Sequence, residues 1–166
     1  MSYRRLTVQS PVGRLILVAD DEGLTHLMLA NNDLGAAGLD ADDVPERADD
    51  PVLAEAAAQL DQYFAGQRTA FDLPLQPQGN EFELDAWMAL ATIPYGETIS
   101  YGEQSRAIGR EGAFRAVGSA NGRNPIAIIL PCHRVVGADG TLVGFGGGLD
   151  VKRALLDLES GVQRLF

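Results

Sequence analysis

The sequence predicts an α/β (α+β) protein in two parts, a small antiparallel-sheet domain over residues 1–79 and a winged-helix-like domain over 80–166. Three observations carry that expectation. Short β-prone segments joined by turn residues fill the first thirty positions. Gln76-Pro77-Gln78-Gly79 reads as a linker. Beyond it, two capping boxes open short helices around a glycine-containing turn, ahead of a hairpin turn. A length of 166 residues accommodates one domain or two small ones.

In order along the chain, residues 4–9 are polar and β-prone, and Ser10-Pro11-Val12-Gly13 supplies a turn. Leu15–Ala19 is an apolar run, Asp20-Asp21-Glu22-Gly23 turns again, and residues 24–29 complete a three-strand meander. Residues 31–50, rich in Asp, Ala and Gly, show no period and read as a loop or short irregular helix. Asp50-Pro51 then opens a helix, with Asp50 as N-cap and Pro51 at its first position. Leu53, Ala56, Ala57, Leu60 and Phe64 recur at helical spacing until Gly66, and residues 71–75 could add a strand.

In the second half, Asn80 and Glu83 form a capping box ahead of Phe82, Trp87, Leu90 and Ile93, and Pro94-Tyr95-Gly96 breaks the helix. Ser100 and Glu103 form another, starting a short helix that Gly109 stops. Residues 113–120 make the next helix, giving helix-turn-helix proportions. The apolar run 126–130 is expected to be a strand ending at Pro131-Cys132-His133-Arg134. Gly137-Ala138-Asp139-Gly140 is a hairpin turn leading to a strand at 141–143. A last helix is expected after Asp150 as N-cap, with Leu155, Leu156, Leu158 and Val162 apolar.

Composition narrows the function. An apolar fraction of 46% and a charged fraction of 22% exclude disorder, collagen and coiled coil for the whole chain. The five-residue aliphatic runs fall far short of the ~20 residues a membrane span needs. No apolar h-region follows the N-terminal arginines, so secretion is not expected, and the single cysteine should be a reduced cytoplasmic thiol. With only Cys132, His26 and His133 as Cys/His ligands, no zinc site is expected. The net charge of −10 is unevenly spread. Residues 1–79 hold five arginines against thirteen carboxylates, whereas residues 102–134 hold five arginines against two glutamates. The second half thus carries a locally basic segment of the kind nucleic acid attracts.

Cys132 is the natural focus of chemistry. It reads either as a buried small hydrophobe or as a reactive thiol, placed by Pro131 and with His133 and Arg134 as positive neighbours that favour thiolate. His133 is either a satisfied surface histidine or a base. Adjacent strand residues point apart, so a water bridge is the easier geometry. Glu159 shares part of the inward stripe of the last helix. It would either pair with the histidine, completing a thiol–water–imidazole–carboxylate relay, or sit exposed against Arg153 or Lys152. Ala113, Ala116 and Ala120 form a small-residue stripe suited to a groove. Arg115 projects beside it, and Phe114 and Val117 are expected to pack inward. Tyr101 lies at the N-terminal end of the helix capped by Ser100. His26 has no ligand partners and reads as structural or exposed.

Arg115-Ala116-Val117-Gly118, Asn124-Pro125 and Pro131-Cys132-His133-Arg134-Val135, in that order, resemble the methylated-DNA–protein-cysteine methyltransferases, the O6-alkylguanine-DNA alkyltransferases. The run from Ile93-Pro94-Tyr95-Gly96 through Ser100-Tyr101-Gly102 also fits, as do Gly147-Gly148-Leu149, Lys152 and Leu155-Leu156. The similarity is close over 80–161 and loose over the first half, where it implies a ribonuclease-H-like domain.

The resemblance implies direct DNA repair: stoichiometric, irreversible transfer of an alkyl group from O6 of guanine in duplex DNA to Cys132. His133 would take the thiol proton through a water, Glu159 would orient the imidazole, and Tyr101 would donate to guanine N3. Arg115 would fill the space of the extruded nucleotide, while Ala116 and Ala120 suit a narrow groove. The carbonyls of Cys132 and Val135 would accept from the guanine amino group, the Gly146 amide would contact O6, and Asn124 would brace the turn. Phe145 stands where many members have tyrosine, so a hydroxyl contact there is lost. Zinc ligands of some members are absent, and Cys132 argues against the lesion-binding relatives with tryptophan at its position. The implied protein needs no cofactor or metal. It acts as a monomer on double-stranded DNA containing O6-alkylguanine, away from membranes. Two other classes remain in view: a winged-helix lesion sensor whose cysteine is structural, and a turnover cysteine hydrolase.

Overall fold

The structure, a computed structural model, describes residues 2–161. They form two compact units, 2–78 together with Pro125–Ala127, and 79–124 together with the residues from 128 onward.

In the first unit, β1 (Arg4–Val8), β2 (Leu15–Ala19) and β3 (Leu24–Met28) make the expected antiparallel meander in the order β1-β2-β3. The central strand is apolar throughout because both of its faces are covered. Ile16 and Val18 pack with Met28, Leu34 and Val44. The alternate residues Leu15, Leu17 and Ala19 point to the opposite face, on which α1 (Pro51–Phe64) lies. This explains the aperiodic acidic stretch between β3 and α1. It is anchored at two apolar points, Leu34 and Val44, and folds into two 3-10 turns, Gly35–Ala37 and Ala41–Asp43.

Two expected strands are reduced to single bridges along the free edge of β3. Of residues 71–75 only Leu75 pairs, with Leu24. Leu24 donates to the Pro74 carbonyl at 2.8 Å, an approach so close that a Cβ on Gly23 would sit 2.5 Å from that oxygen. Of the apolar run 126–130 only Ile126 pairs, with Leu27. Ile128 takes a φ of 71°, a left-handed conformation costly for a β-branched side chain, and this breaks the extended run.

Helix α1 begins as expected. The Asp50 side chain accepts from the Leu53 amide at 3.0 Å and also receives the Arg4 guanidinium, tying the helix to β1. Burial works to raise the Asp50 carboxyl, but the Leu53 amide and Arg4 together hold it below its ordinary value. Asp50→Ala is expected to cost about 1–2 kcal/mol. A depressed folded pKa gives stability that is present above the unfolded value of ~3.9 and lost as pH falls through the folded one. The Tm gap between wild type and variant should therefore be widest near neutrality and close in strong acid.

In the second unit, α2 (Glu81–Leu90) and α3 (Tyr101–Ala107) each start at a complete capping box, on Asn80 and Ser100. Helix α4 (Phe114–Gly122) follows without a side-chain cap. Buried polar contacts lock the three together. Gln104 and Asn121 exchange amide hydrogen bonds at 2.9 and 2.7 Å, Gln104 also donates to the Ala86 carbonyl, and Trp87 donates to that of Ala120 at 2.8 Å.

The wing differs from expectation. Residues 141–143 form no strand. The Gly137 amide still closes the turn onto the Thr141 carbonyl, but β5 (Val135–Val136) pairs in parallel with β4 (Ile99–Ser100) instead. Helix α5 (Leu149–Ser160) starts before Asp150. Its N-cap is Gly148 at φ 99°, and Asp150 sits in the first turn, where its charge suits the helix dipole. Val162 lies outside the described residues.

Candidate active site

Pro131 ends the irregular segment, and residues Cys132–Arg134 form a 3-10 turn rather than the end of a strand. The turn changes what adjacent residues can do, because the strict alternation of an extended chain no longer separates Cys132 from His133. Cys132 is 8% exposed. Asn124 reaches across from the end of α4, donating to the Leu130 carbonyl at 2.7 Å and to Cys132 Sγ at 3.3 Å. Burial raises the thiol pKa, opposed by the Asn124 bond and by the Lys152 charge. The resting group is a thiol, not the thiolate that positive sequence neighbours suggested, so its proton must be removed during reaction.

His133 is fully buried, and its Nε2 lies 2.7 Å from Glu159 Oε2. A carboxylate only accepts, so Nε2 carries the hydrogen and the neutral ring keeps its lone pair on Nδ1. Nδ1 is buried and has no hydrogen-bond partner among the described residues. Burial lowers the imidazole pKa, Glu159 pulls the other way, and Arg134 and Lys152 add to the lowering. The ring is therefore neutral near pH 7 and able to accept a proton.

Arg134 makes that possible. Its guanidinium meets Glu159 in a fork, Nε on Oε1 at 2.7 Å and Nη2 on Oε2 at 3.0 Å, with Nη1 on the Ile93 carbonyl at 2.6 Å. It also lies 5.8 Å from the centre of the Tyr95 ring. The carboxylate is neutralised by a permanent cation and still orients the histidine, so the imidazole is not forced into its charged form. The sequence puts Arg134 beside the thiol as a positive neighbour; the structure turns it toward Glu159. Glu159 is buried against His133 and Arg134, not exposed as the alternative expectation had it.

Lys152 is a second site residue that periodicity could not find. Its ammonium is buried, donating to the carbonyls of Val135 at 2.6 Å and Val143 at 2.8 Å, and lies 5.9 Å from the centre of the Tyr101 ring. Tyr101, at the start of α3, donates its hydroxyl to the same Val143 carbonyl at 3.2 Å. Burial, and then the nearby Cys132, raise its pKa, so it remains a donor. Lys152 and Tyr101 together hold the segment carrying half-buried Phe145 and exposed Gly146 beside the cysteine turn. The Cys132 carbonyl accepts from the Val135 amide and the Val135 carbonyl from Lys152, so each has one lone pair engaged and a second for a ligand.

The face of α4 is corrected in two places. Ala120 is fully buried beside Val117 and receives the Trp87 indole through its carbonyl, so it cannot line a groove. Phe114, expected inside, is 51% exposed. The outward face carries Arg115 with Ala116, Ser119 and Gly122. Which face of a short helix packs inward depends on its neighbours, here Trp87 and the Gln104–Asn121 pair. His26 bonds Thr25 within the sheet of the first unit and takes no part.

Known proteins agree with this architecture. The family model described as 6-O-methylguanine DNA methyltransferase, DNA binding domain, matches residues 81–161, and that described as the ribonuclease-like domain of the same enzyme matches residues 3–77. A methylated-DNA–protein-cysteine methyltransferase of Mycolicibacterium paratuberculosis is 50% identical over 159 residues, 96% of this chain and 92% of the relative. One of Methanosarcina acetivorans is 47% identical over 153 residues, 91% of this chain and 94% of the relative. The crystal structure of Mycobacterium tuberculosis OGT in complex with DNA superposes with a TM-score of 0.85 at 47% identity, covering 97% of this chain and 94% of that one.

Proposed function

Because the chain belongs to the methylated-DNA–protein-cysteine methyltransferase family, we propose that the turn carrying Cys132 is where it accepts the alkyl group. The protein repairs DNA directly, transferring an alkyl group from O6 of guanine in duplex DNA to its own cysteine, once per molecule. The observation that best supports the assignment of roles is the buried His133 ring, whose Nε2 is committed to Glu159 and whose lone pair on Nδ1 is unengaged.

In the proposed step the Cys132 thiol loses its proton to His133 Nδ1, through a bridging water. Sγ attacks the alkyl carbon, the S–C bond forms as the C–O6 bond breaks, and the electron pair leaves with the purine. Tyr101, kept protonated by its surroundings, stabilises that leaving charge by hydrogen bonding to guanine N3. Asn124 holds Sγ in line, and Glu159 with Arg134 keeps the imidazole in its base form. The second lone pairs on the Cys132 and Val135 carbonyls suit the guanine amino group, the Gly146 amide suits O6, and Phe145 walls the pocket.

The base must leave the stack to reach a buried sulfur. Arg115 would occupy the place it vacates, with Ala116, Ser119 and Gly122 as the groove-facing surface. A reaction that consumes a free thiol suits the reducing cytoplasm; no described helix is long and apolar enough to cross a membrane. The proposed protein acts as a monomer.

Intact-mass analysis after mixing with an O6-methylguanine duplex is the test. A gain of one methyl per protein, mapped to the peptide containing Cys132 and accompanied by restored guanine, is expected. A methyl group elsewhere, an unchanged mass or continued product release beyond one equivalent rejects the reading.

A further inference from the structure

We propose that Phe114 is a wedge that acts beside Arg115, its ring stacking on the base next to the nucleotide that leaves the duplex. The proposal rests on the reading above, in which α4 faces DNA.

A lone exposed apolar side chain needs no explanation, and Met88, Val143 and Leu149 are exposed too. Phe114 differs in where it stands. It is the first residue of a nine-residue helix whose N-cap, Ala113, makes no side-chain cap bond to the first-turn amides. It immediately precedes Arg115 and shares its outward exposure. One helical turn further on, at Gly118, a Cβ would lie 3.7 Å from the Tyr101 ring, so the stripe from Phe114 through Gly118 runs toward the pocket that holds Cys132.

A helical turn of about 5.4 Å spans between one and two base steps of about 3.4 Å. A ring placed one turn from the pocket therefore falls at the adjacent step, not in the pocket. The surrounding outward residues, Ala116, Ser119 and Gly122, are small enough to let the helix approach; Phe114 and Arg115 are the two large side chains that α4 itself exposes, and Arg123, one residue past its end, is tied to Glu83 and Ser119. A phenyl ring supplies what guanidinium alone does not, an apolar plane that replaces the stacking lost when a base swings out.

The test compares full-length wild type with Phe114→Ala, Phe114→Leu and Phe114→Trp. The rate of Cys132 alkylation is measured with an O6-methylguanine duplex and with the free base O6-benzylguanine, which needs no extrusion. A duplex with 2-aminopurine beside the lesion reports stacking at that step. Phe114→Ala is expected to slow the duplex reaction about tenfold, to abolish the wild-type change in 2-aminopurine fluorescence and to spare the free-base rate. Phe114→Trp is expected to restore both duplex readouts, with Phe114→Leu between. An unaltered duplex rate in Phe114→Ala, or an equal fall with both substrates, overturns the wedge. Wild-type protein that alkylates Cys132 with neither substrate overturns the parent reading and this one with it.

Discussion

Cys132→Ala is expected to eliminate alkyl transfer to the protein while leaving the fold and duplex binding in place. The side chain lost is small, so the stability cost should resemble deletion of one methyl-sized group, about 1 kcal/mol. Its neighbours reorganise little, because Asn124 keeps its bond to the Leu130 carbonyl when Sγ is gone. Cys132→Ser should be equally inactive. A buried hydroxyl is a far weaker acid than a thiol, and its oxygen is a far poorer nucleophile toward a saturated alkyl carbon than sulfur, so the same base does not make it react. In the wild type the rate should fall on the acid side as His133 is protonated. Burial places that titration below the ordinary histidine value, so activity should persist past the ~6.5 expected of a free imidazole. Single-turnover kinetics against pH, with circular dichroism and duplex binding for both variants, checks these points. Residual transfer to another residue in Cys132→Ala would remove the cysteine from the mechanism.

The parts of this protein legible from sequence are those fixed by local chemistry. Asp50-Pro51, Asn80 with Glu83, and Ser100 with Glu103 mark helix starts because each satisfies amides a few residues away. Leu15–Ala19 read as a strand because an apolar run between turns has little else to become. Cys132, His133 and Glu159 are legible as candidates, but the bond joining the last two spans 26 positions and follows from packing. Elsewhere long-range packing overrides the local pattern. A small-residue stripe suggests that Ala120 faces a groove and adjacency suggests that Arg134 serves the thiol, yet Trp87 on α2 engages the first and Glu159 on α5 the second. Ile128 leaves the extended run through its left-handed φ, and Phe114 stands exposed at the start of α4. Buried Lys152 follows the same rule, since its acceptors are carbonyls that no pattern of side chains announces.

Glu159→Gln should have the largest effect on stability of any single change at the site. The carboxylate is nearly inaccessible and takes three hydrogen bonds from two side chains. Neutralising it leaves the Arg134 cation buried without a counter-charge, a situation that costs about 3–5 kcal/mol. Transfer should also fall by about two orders of magnitude or more, because an amide no longer selects the tautomer that presents a lone pair at His133 Nδ1. The two losses can be separated. Adding Arg134→Met removes the orphaned charge and should recover much of the stability, since most of the cost of Glu159→Gln is that of a buried charge left unpaired. Transfer should stay low in the double variant, because Nε2 still lacks its carboxylate. Denaturant unfolding measures the first effect and single-turnover alkylation of Cys132 the second. If activity returned together with stability, Glu159 would be a structural brace and His133 would not depend on it as a base.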